Sequence, residues 1–463
     1  MSKIYVFCIG GTGSRVLRSL AMMMASGVSI GVDEIVPIVI DPDASNGDLS
    51  RTNALLNKYS AIRDNLTFAD NVSTKFFRKA ITQIIPNYIL NINNTNDQTF
   101  RQFVDLASMS RSNQALMSIL FSEKNLNSSM DDGFKGNPNI GSVVLNQIVG
   151  SPDFNSFATN FSQGDKIFII SSIFGGTGAS GFPLLLNTLR TGNSFPNFAL
   201  INAAEIGAIT ILPYFNLQKN SNSEIDSSTF ISKTKSALAY YENNIVKNGL
   251  INSIYYLADT ITNTYANNQG GATQANDAHI IEFLAATAII DFCENQQIGT
   301  VNKEFGLQGE SKTISFNSFY KGTRDKLFFP LTQFMMMANC LKYKFDFYSS
   351  DSFNANKENF KDLYRSTYMS DLQEFLDEFI NWISELKRNN RSLDLFNVEN
   401  GAKRPFEIVT GVKPKRIISI KSDYDLVTSR LNAAVRKCNS KSVYDKFLEM
   451  FYIGTEKLVS EKF

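Results

Sequence analysis

The sequence has one histidine, His279, and one tryptophan among its 463 residues. A single histidine excludes multi-histidine metal sites and argues strongly against a Cys–His–Asp catalytic relay. The four cysteines lie far apart and form no C-x-x-C pair, which excludes a disulfide framework and a local cysteine zinc site. Any catalysis would therefore depend on backbone groups, hydroxyls, carboxylates and bound ions.

An excess of either charge is also lacking. Lysine plus arginine number 45 and aspartate plus glutamate number 44, so the formal net charge is +1. This balance provides no overall attraction to nucleic acid or to an anionic membrane. No apolar run is long enough to span a bilayer or to form the core of a signal peptide. We therefore expect a cytoplasmic protein with no membrane insertion and no nucleic-acid partner.

Apolar runs in the first half of the chain predict buried parallel strands. They cover residues 3–9, 35–40, 166–172 and 208–212. The first run is followed by glycines, a helix and the second run, which is the order of a βαβ unit. Because these strands are almost continuously apolar, we expect a parallel sheet covered by helices on both faces. A short strand at 254–257 and a long apolar helix at 277–294 follow.

The rest of the chain is predicted to be mostly helical. This applies to residues 55–130 and to most of the chain beyond residue 300, over 327–347, 357–388 and 423–450. Short segments at 313–318, 405–411 and 416–421 fit strands and would allow a small sheet. We expect a sheet-containing domain over 1–272, a central helix over 273–300 and a helix-rich domain over 301–463.

Two glycine-rich turns stand at the carboxyl ends of predicted strands, and each opens a helix. The first is Gly10-Gly11-Thr12-Gly13-Ser14, and the second is the sequence FGGTGASG from Phe174 to Gly181. Backbone N–H groups in such turns approach phosphate closely, and the helix dipole adds positive potential. The first turn has no lysine after its last glycine, which excludes the common GxxxxGK[ST] phosphate loop. Alone, it is as typical of a simple tight turn as of a phosphate or dinucleotide loop.

The second turn, with Pro183 after it, resembles the signature loop of the tubulin/FtsZ superfamily, a glycine run around Gly-Gly-Thr-Gly. Other segments stand in that family's order along the chain, from residue 3 to about residue 295. They are the first glycine turn, Asp41-Pro42-Asp43, the segment Gly133–Gly141 with its Asn-Pro-x-x-Gly ending, the strand with Pro213-Tyr214-Phe215, and Asn276-Asp277 before the long helix. The C-terminal third lacks the acidic tail of FtsZ and is more similar to divergent bacterial tubulin-like proteins.

The resemblance implies that the chain binds GTP or GDP and that residues 1–272 form the nucleotide-binding domain. The implied nucleotide-binding residues are Gly10, Gly11, Thr12, Gly13, Ser14, Asp41, Asp43, Gly136, Asn137, Gly141, Gly175, Gly176, Thr177, Gly178, Ala179, Ser180, Asn276 and Asp277. Among them, Gly136, Asn137 and Gly141 would sense the γ-phosphate. Asn276 or Asp277 would contact the base. Mg²⁺ would bridge the phosphates, and no metal site built from protein side chains alone is expected.

Two positions depart from the family pattern. The family has an asparagine after the first loop, where this chain has Arg15, and this difference leaves base selectivity open. Hydrolysis in the family also needs an acidic loop after the central helix, which enters the next subunit's site and positions the attacking water. The segment Val301–Phe305 retains one carboxylate, Glu304, and Asp291 near the helix end is another candidate. If the chain is a GTPase, Glu304 or Asp291 would act in trans.

Three interpretations remain open from the sequence. The first is head-to-tail assembly of this chain into filaments. The second is a nucleotide-binding scaffold or switch that does not polymerise, in a bacterial multi-protein system such as phage defence, with residues 301–463 engaging a protein partner. The third is an adenylating or NAD-binding Rossmann enzyme, which explains Gly10–Ser14 and Asp41 but not the second glycine turn.

Overall fold

The structure is a computed structural model that describes most of the chain. It covers residues 2–43, 45–68, 72–92, 95, 97–130, 134, 136–218, 229–260, 263–265, 271–272, 274–294, 312–415 and 422–463. The candidate catalytic residue Glu304 lies outside these ranges. So do Gly133 and Lys135 of the Asn-Pro-x-x-Gly segment and the strand predicted at 416–421.

The strands in the described residues follow the apolar runs of the sequence. They are β1 (Lys3–Ile9), β2 (Glu34–Ile40), β3 (Ala80–Ile81), β4 (Lys166–Ser172), β5 (Glu205–Ile211), β6 (Phe215–Leu217), β7 (Ser253–Leu257), β8 (Asn263–Tyr265), β9 (Thr313–Ile314) and β10 (Ser392–Leu393). In β1, β2, β4 and β5 every residue after the first is buried. Burial on both sides of the strand explains why their sequences do not alternate.

Six strands form one parallel sheet in the spatial order β3-β2-β1-β4-β5-β7. The chain moves outward from β1 through β2 to β3, and β4 then returns to the other side of β1. The strand order therefore reverses between β1 and β4, and ligands of such sheets bind at the carboxyl ends beside this switch point. The core is compatible with a Rossmann-like nucleotide-binding fold, which confirms the predicted parallel α/β class.

Helices flank this sheet and dominate the C-terminal region. They are α1 (Gly10–Ala25), α2 (Gly47–Asp64), α3 (Phe100–Phe103), α4 (Arg111–Leu120), α5 (Glu123–Leu126), α6 (Pro138–Leu145), α7 (Pro152–Asn160), α8 (Gly176–Thr191), α9 (Phe198–Asn202), α10 (Phe230–Tyr241), α11 (Ile280–Glu294), α12 (Lys321–Tyr343), α13 (Phe345–Ser349), α14 (Thr367–Arg388), α15 (Asp423–Ala434) and α16 (Val443–Lys462). Helix α1 packs against β1, β2 and β4, whereas α11 packs against β5, β7 and α1. No helix in the described part of the chain is long and apolar enough to cross a membrane.

The helices after the two glycine turns begin earlier than the sequence predicts. Helix α1 begins at Gly10 rather than at Arg15, and α8 begins at Gly176 rather than near Phe182. Pro183 therefore lies inside α8, not at its start. The glycines themselves form the first turns, so their N–H groups belong to the set that has no acceptor within the helix.

Several predicted elements in the other regions are wrong in extent. Between α2 and α6 the described chain has strand β3, short helices and irregular backbone, so residues 55–130 are less helical than predicted. The helix predicted at 357–388 begins only at Thr367, after the cap residue Ser366. The helix predicted at 423–450 is divided into α15 and α16, because the chain turns before the second cap, Ser442.

The small sheet expected in the C-terminal region is reduced. The strand predicted at 313–318 is limited to β9, which pairs with β10, an element that the sequence did not indicate. The segment 405–411 contributes one isolated bridge, between Val409 and Phe396. The division of the chain at residues 272 and 300 stays a prediction.

Candidate functional site

A cavity lies at the carboxyl ends of β1 and β4, beside the switch point of the sheet. Both glycine turns contribute to its wall, through Gly10 to Thr12 and through Gly175 to Gly178. The first turns of α1 and α8 therefore meet at this cavity. Because helix N-termini carry free N–H groups and positive partial charge, this end of the cavity suits an anion such as phosphate.

The two turns contact each other directly. Gly10 has a left-handed backbone, with φ of +71°, and a Cβ built there would lie 3.5 Å from the Cβ of Thr177. Gly11 has more space, since a Cβ built there would meet only the Asn46 side-chain nitrogen, at 3.8 Å. At Gly10 and Gly11 the wall of the cavity is therefore backbone, with the Thr177 side chain beside it.

Other glycines of these turns serve helix–strand packing. A Cβ at Gly13 would lie 2.5 Å from the carbonyl carbon of Cys8, and a Cβ at Gly178 would lie 2.5 Å from the carbonyl oxygen of Ser172. Each of these glycines lets a helix approach the end of the strand that precedes it. The same close packing brings the N-terminus of each helix to the sheet edge where the cavity opens.

The Asn-Pro-x-x-Gly segment packs against the second glycine turn. A Cβ at Gly176 would lie 3.0 Å from the backbone nitrogen of Gly136 and 3.1 Å from that of Asn137. Gly136 itself has φ of +76° and accepts a hydrogen bond of 2.8 Å from Lys233 Nζ through its carbonyl. Gly136 lines the cavity, whereas Gly141 lies at the contact between α6 and the Ser180 side chain of α8.

Two aspartates after β2 form an acidic part of the wall. Asp41 and Asp43 are both buried, and the Asp43 N–H donates to Asp41 Oδ1 over 3.1 Å. Burial raises the pKa of the Asp41 carboxyl to about 7, and the neighbouring Asp43 charge acts in the same direction. Asp43 Oδ2 accepts the N–H of Gly271 at 2.7 Å, which ties this loop to the chain before α11.

Another part of the cavity wall is polar and is built from segments that are distant in the sequence. Asn276 lines it and donates from its side-chain amide to Asp48 Oδ2 over 3.1 Å, while its backbone N–H donates to Asp48 Oδ1. Gln274 Oε1 accepts a 2.9 Å hydrogen bond from Asn46. Tyr265 adds an aromatic ring to the same wall. We call this part of the wall the base end, because the family resemblance predicts a base contact at Asn276.

Arg15 is a cavity residue that the sequence did not indicate as a ligand. Its Nη2 atom lies 2.5 Å from Glu282 Oε1 and donates to the Asp277 carbonyl over 2.9 Å. Burial disfavours the charge on Arg15, but Glu282 and other nearby acidic groups outweigh that effect and raise the pKa of its guanidinium. Glu282 also accepts the Tyr214 hydroxyl at 3.0 Å, so Arg15 belongs to a buried polar cluster at the start of α11.

His279 lies beside this cluster but does not line the cavity. Its ring centroid is 5.0 Å from that of Tyr214, and its Nδ1 accepts the N–H of Ile281. Burial, together with the positive charge of Arg15, lowers the pKa of His279 to about 3. The imidazole is therefore neutral at physiological pH and stabilises the first turn of α11.

Three residues at the end of α14 contact the segment that forms the base end. They are Glu385, Arg388 and the adjacent Asn389, and we call them the C-terminal clamp. Glu385 is buried and accepts the N–H of Ala278 at 2.9 Å. Arg388 forms two hydrogen bonds, of 2.9 and 2.8 Å, with the carboxylate of Asp277. Asn389 donates to the Ala278 carbonyl. The Asp277 side chain is thus engaged by the clamp and does not line the cavity.

A second set of contacts links Glu385 to the cavity wall. Arg51 donates to Glu385 Oε1 over 3.1 Å and to Asp48 Oδ1 over 2.7 Å. Arg18 of α1 approaches Glu385 Oε2 at 2.7 Å. Because Asp48 lines the base end, two ion pairs connect the cavity with α14.

The predicted site residues thus divide into two groups. Those that line the cavity are Gly10, Gly11, Thr12, Asp41, Asp43, Gly136, Gly175, Gly176, Thr177, Gly178 and Asn276. Those that lie beside it, without lining it, are Gly13, Ser14, Asn137, Gly141, Ala179, Ser180 and Asp277. The Ser14 and Ser180 hydroxyls donate to backbone carbonyls of their own turns.

The candidate catalytic residue Asp291 lies far from this cavity along α11. Its carboxylate accepts the Tyr255 hydroxyl over 2.8 Å. With a rise of about 1.5 Å per residue, it stands roughly 16 Å further along the helix than Ile280. Asp291 therefore has no contact with the cavity of its own chain.

Cavity residues that the sequence reasoning missed come from several segments of the chain. They are Arg15, Asn46, Asp48, Phe134, Ser172, Phe174, Phe215, Leu217, Phe230, Tyr265 and Gln274. Arg15 was detectable, because it follows Gly11 by four residues on one helix and so shares its face. The described residues include no group of three or more histidine, cysteine, aspartate or glutamate side chains able to hold a metal ion.

No protein-family model matches this sequence, and no curated protein matches it. The class of this protein is therefore defined by its fold and cavity. It has a parallel α/β core compatible with Rossmann-like nucleotide binding, and two helix N-termini meet at the switch point of the sheet.

Proposed function

We propose that this chain is a tubulin/FtsZ-like protein that binds GTP or GDP with Mg²⁺ and assembles head-to-tail. The observation that carries the proposal is the contact between the two glycine turns, through Gly10 and Thr177, at the carboxyl ends of adjacent strands. A dinucleotide-binding Rossmann enzyme requires one such turn. The second turn, with the Gly136 segment packed against it, supports a triphosphate site in which three loops surround the phosphates.

In this proposal the N–H groups of the first turns of α1 and α8 bind the phosphates. Thr12 and Thr177 line the same region and offer hydroxyl donors. Mg²⁺ would neutralise phosphate charge, and it usually combines one or two carboxylates with phosphate oxygens and water. Asp41 fits that role, because its carboxyl lines the cavity and its ionisation there is unfavourable until a cation is near.

Head-to-tail assembly would add a carboxylate of the next subunit to the aspartates that already line the cavity, Asp41, Asp43 and Asp48. Helix α11 runs from the base end toward the opposite side of the subunit, and Asp291 lies near its far end. In a polymer that side would meet the next subunit's cavity, so Asp291 or Glu304 would orient the attacking water there. Such a contact is heterologous and extends without closing.

The direct test is right-angle light scattering with GTP, ATP or buffer, read together with phosphate release. Scattering and phosphate release with GTP alone are the expected result. If no nucleotide binds, and none is released when the purified protein is denatured, the proposal is wrong.

The phosphate end is tested separately by Gly11→Ala. A methyl group at Gly11 meets only one side-chain nitrogen, at 3.8 Å, so the fold tolerates it, but it stands where phosphate approaches the backbone. We expect nucleotide affinity to fall by about tenfold or more, because close approach to the N–H groups is lost. The matched control is Gly322→Ala, which also has open space around its Cβ and lies outside the cavity. Equal affinities of the two variants would contradict the proposed phosphate site.

A second candidate function is a nucleotide-dependent switch that does not polymerise. It is favoured by the C-terminal clamp, since Glu385 and Arg388 connect α14 to the segment that forms the base end. Nucleotide that orders this segment would then stabilise the docked position of α14 and change the surface offered to a partner. Binding of GTP without scattering or sedimentation would favour this function over filament formation.

A further inference from the structure

Strand β7 is the last strand of the six-stranded sheet, and its outer edge is open in the part of the chain that the structure describes. On its inner side β7 pairs with β5 in register, from the pair Gly207 and Ser253 to the pair Ile211 and Leu257. Beyond these pairs, the Leu212 N–H donates to the Leu257 carbonyl. No other described segment forms a backbone hydrogen bond with β7. Such an edge presents unpaired N–H and C=O groups to a further strand.

Strand β7 lacks the features that usually protect an exposed edge strand. Its sequence, SIYYL, contains no charged residue and no proline. The other edge strand, β3, is different, because it has only two residues and directly follows Arg78 and Lys79. Short edge strands and lysine side chains are devices by which sheets avoid pairing with other chains. Of the two edges of this sheet, the β7 edge is therefore the one suited to pairing.

Exposed aromatic surface lies beside this edge, on the side of the sheet that carries α10. Tyr256 of β7 is 47% exposed, and Tyr240 of α10 is 50% exposed. Burial raises the pKa of Tyr241, and the neighbouring Tyr256 and Tyr240 act in the same direction, so the three tyrosines are close together. Tyr241 itself is buried against Phe182 of α8, with ring centroids 5.1 Å apart. Tyr240 and Tyr256, which we call the edge patch, thus add apolar surface next to the open edge.

We propose that a second copy of this chain pairs with β7 along its open edge, antiparallel and around a twofold axis at Tyr255, so that two six-stranded sheets become one. In this register Ile254 lies opposite Tyr256 of the second copy, since each is one residue from the axis. Side chains of directly opposite residues lie on the same face of a sheet and contact each other. A pair of one aromatic and one β-branched side chain is among the favourable cross-strand pairs.

Charge and symmetry favour a second copy over an unrelated strand. Because Ser253–Leu257 carry no charge, the antiparallel pair brings no like charges opposite each other. The twofold axis repeats the contact, so Tyr256 of each copy is covered by Ile254 of the other. Each copy therefore provides both halves of a self-complementary surface. A strand of another protein would need its own apolar residue opposite Tyr256.

The size of this contact determines where it acts. A tyrosine buries about 150–250 Å², so the two half-exposed tyrosines of the edge patch offer roughly 150–250 Å² per copy. A standard interface buries about 800 Å² per partner. Even with the main-chain hydrogen bonds, the pairing is therefore too weak to join two free subunits, but it becomes effective when many copies are held in a row. The inference thus rests on the proposed filament, and the pairing joins two filaments side by side.

The pairing also fixes the relative direction of the two filaments. The cavity lies at the carboxyl ends of β1 and β4, and β7 runs parallel to both strands. An antiparallel pair of β7 strands therefore places the cavities of the two copies at opposite ends. Head-to-tail filaments that are joined in this way run in opposite directions.

The register is tested with two single variants, Ser253→Cys and Leu257→Cys. These residues lie opposite each other across the proposed axis, within the roughly 7 Å between Cα atoms that a disulfide allows. Two copies of the same variant would place their new cysteines four residues apart along the strands, or roughly 13 Å. The full-length variants are incubated with GTP, separately and as an equal mixture, and are then oxidised. Non-reducing gel electrophoresis should show at least about tenfold more cross-linked dimer in the mixture than in either variant alone.

Electron microscopy of filaments formed with GTP is the second measurement. The unmodified chain should form paired filaments, and Tyr256→Lys should form single ones, because a lysine on an edge strand opposes pairing. Tyr256 does not line the cavity, so the affinity for nucleotide should stay unchanged. The matched control is Ile119→Lys, a change at an apolar residue of α4 that is 81% exposed. It should leave the filaments paired.

The outcomes separate this inference from the proposed function. If GTP produces only single filaments, or if the mixture cross-links no more than the separate variants, the filament stands and the pairing at β7 is refuted. If GTP produces no filaments and the mixture does not cross-link, both fail. Cross-linking of the mixture without filaments would refute head-to-tail assembly and retain the strand pairing. The comparison of Tyr256→Lys with the unmodified chain decides the matter even if Leu257→Cys does not fold.

Discussion

Replacing Asp41 by asparagine should stabilise the ligand-free protein at neutral pH, although it removes a charge from the candidate site. The Asp41 side chain is buried at the wall of the cavity, with 7% exposure. Burial raises the pKa of its carboxyl from 3.8 to about 7. The one backbone hydrogen bond that it accepts, from the Asp43 N–H, does not offset the lost solvation.

The magnitude follows from the two pKa values. The difference between about 7 and 3.8 is about 3 pH units. At about 1.4 kcal/mol per unit, the ionised carboxylate costs the folded state about 4 kcal/mol. Because the folded-state pKa is the raised one, the stability contributed by protonated Asp41 is complete below pH 3.8 and is lost as pH rises through about 7. Asparagine has no such dependence.

The assay is urea unfolding followed by the fluorescence of Trp382, the one tryptophan, which is fully buried. Stabilities of the unmodified chain and of Asp41→Asn are compared between about pH 5 and pH 8. The free energy of unfolding of Asp41→Asn minus that of the unmodified chain should grow by about 1.4 kcal/mol per pH unit up to about pH 7 and should then become constant. Asp33→Asn, which removes the same charge from an exposed position just before β2, is the control for the change in net charge.

A stability difference that does not change with pH would refute this reasoning. It would mean that Asp41 ionises normally and that the wall of the cavity is better solvated than its burial indicates. If Asp33→Asn showed the same pH-dependent gain in stability, the gain would be caused by the change in net charge and not by the burial of Asp41.

Two further predictions concern groups around the cavity. Burial lowers the pKa of His279 to about 3, and this is the only histidine of the chain. Its ring resonances in NMR spectra should therefore keep the same chemical shifts between about pH 5 and pH 8. A titration midpoint near pH 6.5 would contradict this prediction. Glu385→Gln should destabilise the protein by about 3 kcal/mol in urea unfolding, because Arg18 and Arg51 lose a buried carboxylate. The control is Glu378→Gln, because Glu378 also pairs with Arg18 but is half-exposed. This variant should lower the free energy of unfolding by less than about 1 kcal/mol. Equal losses of stability in the two variants would show that burial of the carboxylate does not matter.

The part of the cavity formed by the two glycine turns was predictable from sequence, because its determinants are local. A continuous apolar run such as residues 166–172 predicts a buried parallel strand, and the glycines after it occupy the turn at its carboxyl end. The structure brings the Gly10 and Gly176 turns together for a simple reason. The strands before them are neighbours in the sheet, and parallel neighbours end at the same edge.

The base end was not predictable, because its contacts join segments that are distant in sequence. Asn276 was expected there, but its partner Asp48 belongs to α2 and is invisible in any local pattern. Asp277 was expected to contact the base, yet the residue that engages its carboxylate, Arg388, is 111 positions away. Nothing in the spacing of either residue indicates that α14 packs at this end. The starts of α14 and α16 were predicted wrongly for a related reason. They are capped by Ser366 and Ser442, but serine is also common at positions that cap no helix, so its presence does not mark a helix start.

The C-terminal clamp has a consequence for how the protein matures during its synthesis. The sheet and both glycine turns are complete once the ribosome has passed β7, but the base end is held by Glu385, Arg388 and Asn389. From Asn276 to Asn389 the ribosome must add 113 residues, which is 389 minus 276. At about 5 to 20 residues per second this takes roughly 6 to 23 s. During that interval the nascent chain has both glycine turns, but the contacts of Glu385, Arg388 and Asn389 with the segment before α11 are still missing, so the clamp completes this wall of the cavity well after the sheet has been made.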